Sequence, residues 1–485
     1  MSLIAAVDLG TTTARAGLFD ESGERLASAR RKIATSHPFP GAVEQDPVAL
    51  VAIVIELVGV ALAESGVTAT DVAALGIANQ RSTIVAWDAR TSEPLTPAIG
   101  WQDTRTADRV AEFVAQGIPL TTSASCSKLE WLVANDPAVA DAAARSTLRL
   151  GTIDTWLMWS LSGGAVHATD PSNAGATGLL DLGTGQWSDG ALAVFGVPRE
   201  PLATIVASDE PVGTTAADVL GAEIPLTARI GDQQAACVAH RVGPGSAKLT
   251  LGTSAMLDVG TGTSPADAPA GTYALPLWRR AIDGELVDEF MIEASAQTAG
   301  AAVEWLVTMG LLAAVDQLDA VCAGTPPDNG AGLVFVPALA GLGSPQQDPT
   351  ARGVLGGVGL DTRPADVVRA VVDGIASRVA DLVDTVPVPD TLPVDGGLSR
   401  SDAVLVAIAD TTGLTVRPAA DPETTLRGAA MLAASSPAVD LADLPPVKYR
   451  DEITPRLGDG PREARRRRWQ AAVDAARTLG GGDPK

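Results

Sequence analysis

Leu3 to Val7 form a short apolar run that ends on one acid, Asp8. A Gly10-Thr11-Thr12-Thr13 turn follows, and apolar positions resume at Ala16, Leu18 and Phe19. Apolar runs this short, broken by a glycine turn, predict a hairpin of two strands. Asp20-Glu21-Ser22-Gly23 is a second turn signal, and Glu24 to Arg30 continues as a third strand, so the chain opens as a meander. From Val48 to Ala63 only Glu56 is charged, which predicts a helix over 47–65. That run falls short of the ~20 residues a membrane span needs and reads as a buried helix. Val72 to Ile77, Ile84 to Trp87 and Leu226 to Ile230 read as strands, and residues 104–116, 127–135 and 154–161 as helices. Strands alternating with helices predict an α/β fold.

The opening pattern returns. Ala247 to Gly260 again reads strand, Gly252-Thr253-Ser254, strand. A repeat at this spacing implies two related halves facing each other across a cleft. The Gly-Pro-Gly stretch within Arg241 to Ser246 places the boundary between 1–243 and 244–485. Near the C-terminus, Arg465 to Arg468 precede an apolar-periodic stretch from Trp469 to Leu479, which reads as a helix with a solvated basic face.

Size and charge narrow the function. A chain of 485 residues exceeds what one core usually serves, and 46% hydrophobic residues can fill two. A net charge of −23 argues against a broad nucleic-acid or anionic-membrane surface but leaves ATP open, since ATP needs only a local cluster of donors. Cys126, Cys237 and Cys322 show neither zinc spacing nor a disulfide framework, which fits a reduced, cytoplasmic compartment. No basic region precedes the first apolar run, and Asp8 interrupts it, so a signal peptide is not expected. His37, His167 and His240 form no metal or triad spacing. A Gly-x-x-x-x-Gly-Lys-Ser/Thr loop is absent, which disfavours a P-loop kinase.

Several strings carry chemistry. Gly10 lets a backbone approach a ligand, Thr11 to Thr13 offer donors, and Arg15 suits phosphate oxygens. Asp8 could hold Mg²⁺ through water. The hairpin thus reads as a phosphate clamp or as an ordinary Gly-Thr turn. Gly231-Asp232-Gln233-Gln234 sets an acid between a strand and a helix. Such an acid can take the proton of a hydroxyl that attacks phosphorus, or it can simply cap the helix. Two Gly-Thr hairpins in the same chain favour the base. Asn79 to Ser82 and Gly100 to Arg105 are rich in groups that bind hydroxyls, and Trp101 could pack on the carbon face of a polyol. Val394 to Ser399 ends a strand in a Gly pair where a flat ring or ribose could approach.

Together these strings resemble the FGGY family of carbohydrate kinases, most closely its glycerol kinase branch. The resemblance also takes in Lys128 to Leu132, Gly151 to Leu157, Asp170 to Ala174, Gly341 to Pro345 and Gly353 to Asp373. It implies two actin-like (ribonuclease H-like) domains with mixed sheets, flanking a nucleotide and substrate cleft. It implies ATP and Mg²⁺, Asp232 as general base, and Asp8 beside the metal. Thr11, Thr12, Thr13, Arg15 and Thr253 would hold phosphates, with Gly300 and Gly397 along the nucleotide. Arg81, Ser82, Trp101, Asp232 and Gln233 would line the pocket for a small polyol or sugar. The oligomeric state is left open, a homodimer included.

Three departures bear on specificity. Ser82 stands where the branch usually has Glu, the stretch Thr121 to Ser127 is short and lacks a pocket Tyr, and Met256 replaces an aromatic. On the nucleotide side, Glu304 and Ser401 replace Gln and Asn. No loop associated with fructose-bisphosphate inhibition is recognisable in Val212 to Thr227. Such losses alter specificity more than chemistry, and suggest an acceptor larger than glycerol, such as a tetritol, a pentitol or a xylulose-like ketose. An actin- or chaperone-like nucleotide switch and a sugar sensor are the non-enzymatic alternatives; the hydroxyl-rich strings favour the kinase over a switch, and the intact Asp8, Asp232 and hairpins favour it over a sensor.

Overall fold

The computed structural model describes residues 3–282, 284–325, 332–435 and 441–481. Two mixed sheets organise the chain. In the first, strand Leu3–Leu9 lies between Thr13–Phe19, antiparallel, and Val72–Asn79, parallel. Arg25–Lys32 extends one side antiparallel, and Leu226–Gly231 extends the other in parallel. The second sheet repeats this arrangement. Ala247–Leu251 lies between Ala255–Gly262, antiparallel, and Thr391–Asp395, parallel. Glu285–Ala296 and Thr415–Pro418 take the outer positions, and Tyr273–Ile282 adds a sixth strand.

The central strand Leu3–Leu9 is buried along its whole length, as its unbroken apolar run requires. By contrast, the edge strand Arg25–Lys32 is charged and half exposed, which blunts pairing with other chains. The predicted helices form at Pro47–Ser65, Ala107–Ala115, Cys126–Asn135 and Ile153–Leu161. For the first, Asp46 caps the amides of Val48 and Ala49, Pro47 fits the first turn, and Gly66 ends the helix in the left-handed region. Its expected full burial is corrected by the structure. Leu50, Val54, Leu57 and Ala61 face the core, but Val48 is 55% exposed and Val60 37%. The helix meets neighbours on one side only, so its apolar composition exceeds what the core takes up. By length and composition alone it could cross a membrane.

The basic segment near the C-terminus lies in helix Asp459–Gly480, whose Trp469, Ala472, Val473 and Ala476 are buried. Arg466 pairs with Asp381 at 2.8 Å, while Arg467 stays exposed. Helix Thr424–Ala434 packs on both helix Asp232–His240 and the first sheet. The approach is close because it rests on glycines: a Cβ on Gly428 would stand 1.7 Å from the Ala235 carbonyl oxygen, and one on Gly76 2.3 Å from that of Ala429.

Candidate active site

The opening strand delivers Asp8 to the turn, where its carboxylate is nearly buried. Gly10 closes the turn by donating to the Thr13 carbonyl at 3.2 Å, and a Cβ there would meet that same oxygen at 3.0 Å. Thr11 and Thr13 are half-exposed and Thr12 is exposed, so the turn presents itself outward. Arg15 is held within the protein by two carboxylates. Its guanidinium lies 3.3 Å from Asp8 and 3.2 Å from Glu423, tying the hairpin to a loop 408 residues away. Sequence spacing could not show this competitor for the cation.

Burial pushes Asp8 up to about 7, with Arg15 opposing and the nearby Asp232 and Glu423 carboxylates adding to the rise. Glu293, also buried, is likewise raised to about 7, with Arg81 opposing. Both acids therefore hold protons in the folded state that the unfolded chain releases above their ordinary values of 3.8 and 4.5. Their stabilising contribution is complete below those values and lost as pH rises through about 7. Thermal melts of ligand-free protein from pH 5 to 8 should show this as a Tm that falls with pH, and less steeply in Asp8→Asn.

The second hairpin turns at Gly252, whose amide donates to the Ser254 carbonyl at 2.9 Å. Helix Gly300–Thr308 begins against it. The amides of Ala299 and Ala301 donate to the Thr253 carbonyl, and Gly300 donates to that of Gly252 at 2.9 Å. A Cβ on Gly300 would stand 2.6 Å from the Gly252 oxygen, so this glycine lets the helix meet the turn. Gly397 starts the 3-10 turn Gly397–Arg400 and has open space where a Cβ would lie. Its neighbour Gly396, at φ 85°, presses on the Leu251 carbonyl.

Asp232 opens helix Asp232–His240, but Gly231 is the capping residue. Asp232 Oδ1 accepts from the Gln233 amide at 2.8 Å and lies 3.6 Å from Arg81 Nε. Burial raises its pKa, while Arg81 pulls it down. Arg81 Nη2 in turn donates to Glu293 Oε2 at 2.6 Å. Gln233 is oriented by Lys248, whose Nζ donates to Gln233 Oε1 at 2.8 Å and leaves the amide NH₂ as the free end.

Ser82 is buried in the left-handed region at φ 62°, and its hydroxyl donates to the Ala176 carbonyl. Trp101 Nε1 donates to Thr11 Oγ1 at 2.8 Å, linking the polar string to the first hairpin. Buried Lys128 holds this region together by donating to the carbonyls of Trp101 at 3.1 Å and Thr122 at 2.8 Å. Tyr273 comes from the other half of the chain and lies near the Thr121 side chain, which opposes the rise that burial gives its hydroxyl pKa. Lys248, Asp258, Tyr273 and Glu293 were not among the expected site residues. They sit in strands of ordinary pattern, and the one available signal is a charge inside an otherwise apolar run.

The first Gly-Thr turn, Asp8, Trp101, Arg81, Asp232 and Gln233 thus form one connected polar cluster. Sequence comparison matches residues 3–239 to the FGGY family of carbohydrate kinases, N-terminal domain, and residues 247–436 to its C-terminal domain. The chain belongs to the FGGY family of carbohydrate kinases. Glycerol kinase of Thermus brockianus is 37% identical over 98% of this chain and 99% of its own. That of Bordetella parapertussis is 36% identical over 98% and 97%. Among solved structures, Plasmodium falciparum glycerol kinase with ADP superposes with a TM-score of 0.87 at 27% identity, covering 98% of both chains. A ligand-bound xylulose kinase from Lactobacillus acidophilus shares the fold, with a TM-score of 0.85 at 20% identity over 100% and 99%.

This FGGY kinase is therefore an enzyme of ATP-dependent phosphoryl transfer to a hydroxyl of a small polyol or sugar, built on the actin-like two-domain fold. Among the described residues no group of three His, Cys, Asp or Glu side chains could hold a metal by itself. The single carboxylate of Asp8 beside hydroxyl-rich turns suits Mg²⁺, which commonly binds one or two carboxylates and leans on phosphate oxygens.

Proposed function

We propose that this kinase phosphorylates glycerol or another short polyol, with Asp232 as the general base. The observation that carries the reading is the Asp232–Arg81–Glu293 chain at the pocket floor, with a 3.6 Å and a 2.6 Å link. Asp232 accepts the acceptor hydroxyl's proton as the oxygen bonds to phosphorus, and the leaving nucleoside diphosphate takes the electron pair of the broken bond. Burial raises the pKa of Asp232, and Arg81 opposes that rise in favour of the ionised form. Gln233, fixed by Lys248, presents its NH₂ to the acceptor, and Trp101 supplies an apolar wall. Thr11, Thr12, Thr13 and Thr253 would hold phosphates, with Gly397 beside the nucleotide. Asp8 would hold Mg²⁺, which neutralises phosphate charge when bound. Arg15 serves that role indirectly, by orienting Asp8. Catalysis then rests on positioning and charge compensation, as loose phosphoryl transfer demands. A reduced cytoplasmic location is part of the same reading.

The pocket lacks the Glu and Tyr expected of its branch, which would favour a longer acceptor. Tyr273 reaching Thr121 argues the other way, because it bridges the two halves beside that shortened stretch. A coupled assay over C3 to C6 polyols and ketoses tests the reading. Glycerol should give the highest kcat/KM, and Tyr273→Ala should shift the ranking toward C4 and C5 acceptors by about tenfold, the scale of one lost pocket contact. A wild-type preference for pentitols or ketulose would replace the short polyol with the longer one.

A further inference from the structure

Six polar side chains close a ring beneath the acceptor pocket. Lys248, Asp258, Glu293 and Tyr273 are directly opposite one another on four adjacent antiparallel strands, so they share one face of the second sheet. Lys248 Nζ lies 2.7 Å from Asp258 Oδ2, and both side chains are fully buried. Lys248 also donates to Gln233 Oε1 and, at 2.7 Å, to Thr250 Oγ1, so its contact with Asp258 is an ion pair in which both buried Asp258 oxygens lack a hydrogen bond. Glu293 takes the Arg81 guanidinium, which reaches Asp232. Arg81, Asp232 and Gln233 precede the Arg241 to Ser246 link; Lys248, Asp258 and Glu293 follow it.

The ring holds three carboxyls against two cations. Fully ionised it would carry one uncompensated buried negative charge, and Asp258 would face Glu293 as a like charge across the strands. That conflict is eased on the Glu293 side, where burial raises the carboxyl's pKa to about 7. The groups that face it are Lys248, Arg81, Asp232, Tyr273, Cys237 of the helix Asp232–His240, and Asp395 at the end of its strand.

We propose that Asp258 is a positioning residue for phosphoryl transfer: it fixes Lys248, and through it the Gln233 amide, while its pairing with Glu293 sets how Arg81 is divided between Glu293 and Asp232. This rests on the acceptor-site reading above. Without the Asp258 charge, Lys248 loses its anchor and Gln233 its orientation. Asp232 also loses a neighbouring negative charge that raises its pKa.

The test is steady-state kinetics of the full chain with glycerol and ATP, for wild type, Asp258→Asn and the double variant Lys248→Met with Asp258→Leu. Asp258→Asn should raise the acceptor KM about tenfold, the scale of coupling between residues in one network, with the ATP KM unchanged. The acid limb of its kcat/KM profile should move down by about half a pH unit or more. The double variant removes a buried ion pair as a unit and leaves the ring no worse charged, so its fold serves where the single variant's does not. It should keep the raised acceptor KM, because Gln233 remains unheld. Unchanged acceptor KM and pH profile in Asp258→Asn, or wild-type acceptor KM in the double variant, would overturn the proposal. A wild type inactive on every polyol would instead overturn the acceptor reading itself.

Discussion

Asp232→Asn should lower kcat by about a hundredfold to ten-thousandfold, the usual worth of a positioned general base. The amide is isosteric and can still accept from the Gln233 backbone as Asp232 does at 2.8 Å, so the helix start should survive. It cannot take a proton from a hydroxyl at neutral pH. Calorimetry should show ADP binding at wild-type affinity, because in the proposed arrangement Asp232 stands on the acceptor side and the Gly-Thr turns serve the phosphates. Coupled ADP release measures the other half. Turnover near wild type would remove Asp232 from its role and leave Arg81 and the turns as the catalytic machinery.

Gly428→Ala should have the largest effect on stability of any single methyl. The added carbon would stand 1.7 Å from the Ala235 carbonyl oxygen, and that atom belongs to the backbone of the helix that Asp232 opens. Neither helix can yield locally, since a Cβ at Gly76 on the other side of Thr424–Ala434 is similarly crowded by Ala429. Overpacking of this kind costs about 1–3 kcal/mol. A lowered Tm together with a reduced kcat/KM is expected, since relief requires moving Asp232. Gly397→Ala, with open space around it, serves as the matched control and should melt as wild type does.

Local physics made much of this legible in the sequence. The helix Pro47–Ser65 has the bounds expected for 47–65 because Asp46, Pro47 and Gly66 punctuate it within the chain itself. The Gly-Thr turns were readable because a glycine between two apolar runs admits few alternatives. What remained hidden is nonlocal. Arg15 looked free for phosphate because Glu423 is remote in sequence. Asp258 and Glu293 meet only through strand register, which no window of sequence contains. The outward face of Pro47–Ser65 was missed for a related reason: apolarity is counted along the chain, whereas burial depends on what lies opposite.

The matched topology of the two sheets invites a comparison of their acids. One residue before the end of its central strand, Asp8 lies opposite Ala78 in the first half, and Thr250 lies opposite Asp395 in the second, so each half keeps one carboxylate but on the opposite strand. Asp395 is held near 2, where side-chain hydrogen bonds from His240 and Thr250 and the charge of Lys248 outweigh burial, and Thr424 adds a further hydrogen bond. Asp8 is poised near 7. A duplicated scaffold has thereby divided its labour. One copy's acid is held as an anion that ties its strand to His240 of the first half and to Thr424; the other's is pushed up by burial beside Arg15. The symmetry of the backbone persists while the symmetry of charge has been given up.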